Sequence, residues 1–352
     1  MRCLWTAAIL LGSAAAAWAE TYVYVSMAPE QKIQIYRLDP ADGSLTPVDA
    51  VAVDGAPGSL GVDPRKKFLV ASLRTTSKLA SFEIDPKSGK LRALGEVALP
   101  KGQNAAFVGT DRTGRWVISA SYMGGKVVVH PLGADGKIGS PAVQTVDTVA
   151  TAHSFMTDRD NRFVFVPHVA PNAVYQFKLD PETGRLSDAG KAPGGAEKAG
   201  PRHIAFHPTL NLAFTSDEIG SSITAYRFDP ETGLKPVQTL STLPADFKAS
   251  NTTADVKVHP NGKFVWVSNR GHDSLAGFSI DAAGKLSALG HTPTEQTPRS
   301  FDIEPEGRYA FGAGEGSGKL AVFKVDLETG KLTRLHTLDV GKSLTWVLAA
   351  KF

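Results

Sequence analysis

The sequence predicts an all-β protein, a seven-bladed β-propeller in which four-stranded blades form a closed ring. Three observations lead to this fold class: a turn motif recurs seven times, strand-like segments align between its copies, and the two ends of the chain supply complementary strands. Glycine and proline account for 34 and 22 of the 352 residues. That density suits short strands and tight turns better than long helices.

The repeated turn reads Asp-Pro-x-x-Gly or a close variant of it. In such a turn proline fixes φ, and glycine accepts the positive φ that the chain needs to reverse. The glycines lie 46, 47, 48, 49, 51 and 46 residues apart and are Gly43, Gly89, Gly136, Gly184, Gly233, Gly284 and Gly330. Such even spacing predicts seven copies of one structural unit.

Three strand-like runs precede each turn, and a fourth run follows it. In the unit 202–229 these runs are HIAFHP, LAFTSDE and SITAYRFD, and the unit 255–281 repeats them as VKVHP, VWVSNRGHD and SLAGFSID. We name the strands A, B and C and, after the turn, D, with A nearest the axis. Four strands in each unit of roughly 47 residues are typical of a propeller blade.

The two ends of the chain are complementary. The first strand, Tyr22 to Met27, is B-like and has no A strand before it, whereas the last, Ser343 to Ala349, is A-like and has no B strand after it. Pairing them completes the first blade and closes the ring. A linear array would leave both strands exposed, so the sequence favours closure.

The N-terminus has the pattern of an export signal. Arg2 precedes an apolar run from residue 4 to residue 17, and Ala17-Trp18-Ala19 is a small-x-small cleavage site. Because the run is shorter than the roughly 20 residues of a spanning helix, we expect cleavage after Ala19 rather than a membrane anchor. Residues 1–19 are then a signal peptide, and residues 20–352 form one propeller domain that is periplasmic or secreted without membrane insertion.

Composition excludes several classes of partner and cofactor. Cys3 is the only cysteine and lies in the predicted signal, so we expect no disulfide and no thiolate metal site. A net charge of +3 gives no support for a nucleic-acid partner. The sequence contains no HExxH, P-loop or GxSxG motif. We therefore expect no metal or other cofactor, and a monomer that acts on a small molecule.

Two positions in each blade are expected to face the central opening at one end of the ring, because strand A enters from that face and strand B returns to it. The first position lies six residues before the A–B turn and holds Gly58, Ala106, His153, Arg202, Ala254 and Arg299. The second lies eleven residues before the Asp of the C–D turn, and its clear occupants are Arg74, Val169, Glu218, Arg270 and Glu315.

Five of these side chains should converge on one mouth from blades four to seven: His153, Arg202, Glu218, Arg270 and Arg299. Arginines beside a carboxylate and an imidazole in a concave site form a set that can recognise anions and move protons. The alternative is that they are solvated rim charges.

Several neighbouring residues allow two interpretations. Asn269, His272 and Asp273 flank Arg270 and either line the pocket or close the B–C loop. His203 is a weaker candidate. His207 and His259 occupy matching places beside A–B turns, which indicates turn packing.

At these positions the chain resembles the lactonase family of seven-bladed propellers, the 6-phosphogluconolactonase type, which also includes carboxymuconate-lactonising enzymes. The matching segments are Ala152-His153-Ser154, residues 200–208, Glu218 with Ser221-Ser222, residues 267–274, and Pro298-Arg299. A His, two Arg and a Glu are proposed at the site of the family's muconate enzymes. The resemblance implies His153, Arg202, Arg270 and Glu218 as catalytic residues here, and Arg299, Asn269, His272 and Asp273 are candidate substrate-binding residues.

The resemblance implies a hydrolase that opens a sugar-type lactone, a small and often anionic substrate. Export favours a non-phosphorylated lactone over the cytosolic namesake substrate. Glu218, flanked by two arginines, is the expected base, and His153, expected to titrate near neutrality, is the expected proton donor. Two alternatives are a non-catalytic periplasmic binding propeller and a lactonising cycloisomerase that acts on a muconate.

Overall fold

The computed structural model describes residues 19–352, so the predicted signal sequence up to residue 18 lies outside the described residues. The described chain forms 28 strands in seven four-stranded antiparallel sheets. Each sheet is one blade, and the predicted seven-bladed propeller is confirmed. No helix in the described part of the chain has the length and apolar character needed to span a bilayer.

The strands follow the order A, B, C and D within every blade. Blade one contains β28 (Leu344–Lys351), β1 (Thr21–Met27), β2 (Lys32–Leu38) and β3 (Leu45–Ala52); blade two contains β4 (Pro57–Val62), β5 (Phe68–Leu73), β6 (Lys78–Ile84) and β7 (Leu91–Ala98); blade three contains β8 (Ala105–Thr110), β9 (Trp116–Ser121), β10 (Lys126–Pro131) and β11 (Gln144–Asp147). Blade four contains β12 (Met156–Thr157), β13 (Phe163–His168), β14 (Ala173–Leu179) and β15 (Leu186–Pro193); blade five contains β16 (Pro201–Phe206), β17 (Leu212–Asp217), β18 (Ser222–Asp229) and β19 (Gly233–Ser241). Blade six contains β20 (Thr252–Val258), β21 (Phe264–Arg270), β22 (Ser274–Ile280) and β23 (Leu286–Pro293); blade seven contains β24 (Pro298–Ile303), β25 (Tyr309–Gly314), β26 (Lys319–Val325) and β27 (Leu332–Asp339).

The ring closes through the strands at the two ends of the described chain. β1 pairs with β28 in an antiparallel register that runs from Thr21 opposite Lys351 to Met27 opposite Leu344. The predicted closure is therefore confirmed, and blade one is assembled from both ends of the chain.

The seven turn glycines serve both the turn and the contact between blades. All seven have φ between +67 and +84°, a region that other residues adopt only with strain. A Cβ on Gly89 would lie 2.3 Å from the ring of Tyr22 in the preceding blade, and one on Gly184 would lie 2.6 Å from Trp116. The repeat therefore needs glycine for backbone conformation and for close packing.

The hydrophobic core consists of seven clusters, and each fills the space between two adjacent blades. The cluster between blades seven and one joins Phe311 and Val322 to Val23 and Val347, all of them fully buried. Burial on both faces of every sheet explains why strands B and C read as continuous apolar runs.

Side chains in the A–B turns bind the backbone at the end of the ring opposite the predicted mouth. His207 accepts a hydrogen bond at Nδ1 from Leu210 N (2.8 Å), and its Nε2 donates to Gly262 O in the next blade (2.8 Å). His259 bonds Gly307 O of the next blade in the same way (2.9 Å). The interpretation of both histidines as turn-packing residues is confirmed.

Candidate active site

A β-bulge marks the first inward-facing position in six of the blades. The register of strand A against strand B shifts around Gly58, Ala106, Arg202, Ala254, Arg299 and Thr345. A bulge bends its strand and re-aims the side chain that it contains. Where this position holds arginine, as in blades five and seven, the side chain enters the axial opening.

The second inward-facing position falls at the end of strand B or one residue beyond it. Glu218 follows β17, Arg270 ends β21, and Glu315 follows β25. The Glu218 backbone N–H donates to Gly200 O (2.7 Å), so this position is fixed against the start of strand A in its own blade. The carboxylates and guanidinium therefore project from ordered backbone at the mouth.

A narrow cavity on the axis brings several of these side chains together. Its volume is about 10 Å³, which is room for roughly one water molecule, so a sugar-sized ligand would bind over its opening rather than inside it. It is lined by Gly58, Ser59, Arg74, Ala106, His153, Arg202, Arg299, Thr345 and Trp346. Three arginines and one histidine thus share this space. Glu218 and Arg270 lie beside it and are joined to it through Arg202.

Larger grooves occur on the outer surface. One of about 280 Å³ lies between blades one and seven, and one of about 470 Å³ lies between the outer strands of blades six and seven. The charged residues of the first include Glu306, which is already paired with Arg308 and Lys351. The second is lined mainly by glycines, threonines and leucines, with His291 and Lys331 at its edges. A pocket of about 200 Å³ at the A–B turn end of the ring also has buried charged groups, among them Asp255 and Lys257, but these are paired with each other. We place the functional site at the axial cavity because several buried polar atoms around it have no hydrogen-bond partner among the described residues.

Glu218 holds two arginines from adjacent blades. Arg270 Nη2 donates to Glu218 Oε1 (2.6 Å) and to Thr253 O (2.9 Å). Arg202 Nε lies 3.8 Å from the same carboxylate oxygen. The Arg202 side chain is 1% exposed, and its Nη1 donates to Ala254 O (2.6 Å). A single carboxylate therefore faces two guanidinium groups.

Four polar atoms at this site are buried without a hydrogen-bond partner among the described residues. They are Arg202 Nε, Arg270 Nε, Glu218 Oε2 and His153 Nδ1. Buried polar atoms are nearly always paired, so a cluster of unpaired ones indicates a place for water or for a polar ligand. Two of the four are cationic donors, and one is an anionic acceptor.

Arginines outnumber carboxylates at the mouth. Arg299 Nη1 lies 3.6 Å from Glu315 Oε2, while Arg202 and Arg270 share Glu218. Burial, followed by the charges of Arg270 and Arg299, lowers the pKa of Arg202, and Glu218 and Asp255 oppose that shift. Burial and the Arg299 charge also lower the pKa of Arg74. Burial is the larger cause of both shifts, and repulsion between the arginines adds to it. The excess of arginines over carboxylates favours an anionic or oxygen-rich ligand.

His153 is held neutral, which differs from the expectation that it titrates near neutrality. Its backbone N–H donates to Pro167 O in β13 (3.1 Å). Burial, followed by the charge of Arg202, lowers the pKa of this imidazole well below its usual range. Protonation would place a third buried cation beside two arginines. His153 is therefore a neutral imidazole at neutral pH, and a poor source of a proton.

The three residues that flank Arg270 form a network between loops. The Asn269 side chain donates to Thr242 O (2.7 Å) and accepts from Thr242 Oγ1 (2.7 Å). His272 bonds Ser274 Oγ through Nδ1 (2.7 Å). Asp273 Oδ1 accepts from Thr297 N in blade seven (2.9 Å). Their polar atoms hold the B–C loop of blade six against its neighbours, and none of the three lines the axial cavity.

Tyr122 and Arg74 belong to the site, although the candidate set from the sequence omitted them. Tyr122 packs edge-on against the His153 ring at 5.4 Å between centroids. Burial and the Glu218 charge raise the pKa of its phenol. Tyr122 lies eleven residues before Gly133, so counting from the glycine that replaces Asp in the third repeat would have found it.

Arg74 occupies the second position in blade two, and its place in the cavity depends on Gly58. A Cβ on Gly58 would lie 2.8 Å from Arg74 Cδ. The sequence shows a small residue at that first position but does not show which side chain uses the space.

Cation coordination is not indicated by the side chains present. Within residues 19–352, no group of three or more His, Cys, Asp or Glu side chains is arranged to hold a metal ion. The positive charge at the site comes from arginines.

Comparison with known proteins gives a consistent assignment. Residues 5–103 and 93–349 match the family described as "Lactonase, 7-bladed beta-propeller". A protein named 6-phosphogluconolactonase from Pectobacterium carotovorum subsp. carotovorum is 36% identical over 328 residues, which cover 92% of this chain and 97% of that protein. A protein of the same name from Serratia proteamaculans is 33% identical over 327 residues, with the same coverage of 92% and 97%.

Among solved structures, the periplasmic gluconolactonase of Pseudomonas aeruginosa superposes with a TM-score of 0.87 at 25% identity, covering 94% of this chain and 99% of that one. The family match spans nearly the whole chain, and the similarity to curated relatives exceeds 30% identity over most of it. The chain therefore belongs to the seven-bladed β-propeller lactonase family, and its predicted membership of a family of lactone-hydrolysing enzymes is confirmed.

Proposed function

We propose that the mature protein hydrolyses a sugar lactone of the gluconolactone type at the axial mouth, after export from the cytoplasm. The observation that carries this proposal is the cluster of four buried, unpartnered polar atoms on Glu218, Arg202, Arg270 and His153. Lactone hydrolysis needs an acceptor for a water proton and donors for a developing oxyanion, and this cluster offers both.

Substrate binding falls to the arginines. A sugar lactone carries several hydroxyl groups, a carbonyl and a ring oxygen, and its product is a carboxylate. Arg74 and Arg299 line the cavity and can hold hydroxyl oxygens or a charged group of the substrate. Arginine suits this role because its fork donates two parallel hydrogen bonds.

Glu218 is the proposed base. Its Oε1 is held by Arg270, and its Oε2 has no partner among the described residues. A water that donates to Oε2 loses that proton to the carboxylate as the water oxygen forms a bond to the lactone carbonyl carbon. The negative charge moves to the carbonyl oxygen, where the free Nε–H groups of Arg202 and Arg270 donate hydrogen bonds to it. Each such donor is worth roughly 10²–10³ in rate.

Ring opening then returns the proton. The bond between the former carbonyl carbon and the ring oxygen breaks, and the proton on Glu218 passes to the departing oxygen, which becomes a hydroxyl. In the tetrahedral intermediate the oxygen of the attacking water and the ring oxygen are bonded to the same carbon. One carboxyl group can therefore take a proton from the first and give it to the second. His153 is neutral and contacts Tyr122. It orients the substrate by hydrogen bonding and does not act as the acid that the sequence predicted.

Export is supported by the sequence pattern at residues 2–19 and by the similarity to a periplasmic gluconolactonase. A non-phosphorylated lactone is the expected substrate, because phosphorylated sugars are cytosolic metabolites. The 6-phosphogluconolactone of the curated relatives' name is the nearest competitor.

The test is a hydrolysis screen of protein 20–352 with gluconolactone, 6-phosphogluconolactone and a muconolactone. Proton release is measured above the spontaneous rate in buffer, with His259→Asn as a matched variant whose substituted histidine lies at the opposite end of the ring. We expect gluconolactone to be opened fastest. Binding of gluconate without acceleration of any lactone would instead identify a binding propeller, and conversion of a muconate alone would identify a cycloisomerase.

A further inference from the structure

Directly behind Arg202, a buried histidine and a buried aspartate form a hydrogen-bonded pair that the proposed reaction does not use. His203 Nδ1 lies 2.8 Å from Asp255 Oδ1, and His203 Nε2 lies 3.2 Å from Arg202 Nη1. Their exposed fractions are 3% for His203 and 2% for Asp255. The His203 ring therefore bridges the Asp255 carboxylate and the Arg202 guanidinium.

This geometry fixes the protonation of His203. A guanidinium has only donors, so Nε2 must be the acceptor, and Nδ1 must carry the hydrogen that goes to the Asp255 carboxylate. Burial, followed by the Arg202 charge, lowers the pKa of His203 to about 4. The neutral Nδ1–H form is the one that can accept from Arg202.

Asp255 is itself held from three sides. Its Oδ1 accepts from Val256 N (2.9 Å), and Lys257 Nζ lies 3.8 Å from its Oδ2. Ser300 Oγ, from blade seven, lies 3.4 Å from Oδ2. Burial raises the pKa of Asp255, but the Lys257 charge and the hydrogen bond from His203 outweigh it and lower that pKa to about 2. The carboxylate is therefore an ionised anchor that cannot easily rotate.

We propose that His203 and Asp255 are a positioning pair for Arg202, which holds Nη1 so that Nε stays free at the mouth. Ala254 O and His203 Nε2 together occupy the Nη1 end of the guanidinium. The plane of the group is then set, and Nε is directed towards Glu218. This inference deepens the proposed function and rests on it.

A purely structural role is the competing explanation, because the His203 ring also packs against Phe107 (5.7 Å) and Trp346 (5.8 Å). Two substitutions separate the explanations. His203→Gln keeps an acceptor near the position of Nε2 and loses the donor to Asp255, whereas His203→Asn keeps a donor near Nδ1 and loses the acceptor for Arg202. If the bond to Asp255 matters most, His203→Gln should be the more damaging substitution. If the bond to Arg202 matters most, His203→Asn should be the more damaging one.

The experiment compares kcat and KM on gluconolactone for the wild type, both His203 variants and His259→Asn, together with their thermal midpoints. We expect His203→Asn to lose about 10- to 100-fold in kcat/KM, the loss typical of a hydrogen bond to a charged group, with KM raised. His203→Gln should recover most of that loss, and His259→Asn should match the wild type in kcat/KM. The reverse order of the two His203 variants, equal losses that follow the thermal midpoint, or no loss in either variant would overturn the proposal.

A second readout does not depend on turnover. Nitrogen-15 NMR of the imidazoles at pH 7 should show His203 as the Nδ1–H tautomer, and calorimetry with inorganic phosphate should show weaker binding to His203→Asn than to His203→Gln. If the wild type opens no lactone, the proposed function fails, while these two measurements still decide the positioning pair. An Nε2–H tautomer or a charged imidazole would contradict it.

Discussion

Arg270 binds one oxygen of Glu218 and leaves the other free: its Nη2 donates to Oε1 at 2.6 Å, while Oε2 is buried without a hydrogen-bond partner among the described residues. Arg270 ends strand B of blade six and Glu218 directly follows strand B of blade five, so the ring geometry sets their separation. One carboxylate oxygen is thereby oriented, and the other remains open to water or substrate. In the proposed base catalysis, Oε1 orients the carboxylate and Oε2 accepts the proton.

Arg202 should be more sensitive to substitution than its burial alone suggests. We expect Arg202→Ala to lower kcat/KM by about 10²–10³, the range for removing one partner of a buried charge pair, with KM raised and kcat lowered because the guanidinium meets substrate and transition state alike. Arg202→Lys should recover little, since an ammonium cannot reach Ala254 O and His203 while presenting a donor to the mouth.

Steady-state kinetics on gluconolactone measures this effect. Arg112→Ala is the control, because Arg112 also donates to a backbone carbonyl, that of Asp158, but is exposed and lies at the opposite end of the ring. A kcat/KM for Arg202→Ala within threefold of the control would remove Arg202 from the reaction.

The repeat allowed the fold and most of the mouth to be predicted from the sequence. Each repeat has the same turn residues and strand pattern, which depend on neighbours in the sequence. These local features predict the turn glycines, the number of blades and the closure of the ring. The inward positions of Arg202 and Arg299 could be found by alignment of the repeats, because the bulges recur in the same register.

Other properties depend on contacts between blades, which no single repeat encodes. The neutral state of His153 depends first on its burial and then on the charges of arginines from blades five to seven. The loop role of Asn269 depends on Thr242, which belongs to the previous blade's connection. Tyr122 was missed because glycine replaces the Asp from which the position was counted.

Stability should fall as pH decreases from about 6.5 to about 4. Burial lowers the pKa values of His168 and His203 to about 4, whereas the unfolded chain protonates its histidines near 6.5. The unfolded state therefore binds protons first on acidification, and each histidine should reduce the free energy of unfolding by about 3 kcal/mol by pH 4. Asp217 acts in the opposite direction, since burial raises its pKa to about 6, and should offset about 2 kcal/mol.

Urea unfolding at pH 7.5 and pH 4 measures this difference. The wild type should be less stable at the lower pH, and His168→Gln should reduce the difference by about 3 kcal/mol. Equal stability of the wild type at both values, or a His168→Gln variant with an unchanged difference, would contradict this assignment of buried neutral histidines.

The exported protein should begin at Glu20. Arg2, the apolar run and Ala17-Trp18-Ala19 predict cleavage after Ala19. Intact-mass measurement on protein recovered from the periplasm decides this, and Ala19→Arg should retain the precursor because a large charged residue does not fit the cleavage position. A periplasmic mass that includes residues 1–19, or a mature form found only in the cytoplasm, would show the prediction to be wrong.

The most direct test of lactone hydrolysis at the mouth is the kcat of Glu218→Gln on gluconolactone relative to the wild type. The amide keeps the shape of the carboxylate and can still accept from Arg270, but it cannot take a proton. We expect kcat to fall by roughly 10²–10⁴ in a variant that still folds, with a lower thermal midpoint because Arg202 and Arg270 lose the carboxylate that they share. A Glu218→Gln enzyme that turns over gluconolactone at the wild-type rate would contradict the account and would leave the carboxylate as a structural partner of Arg202 and Arg270.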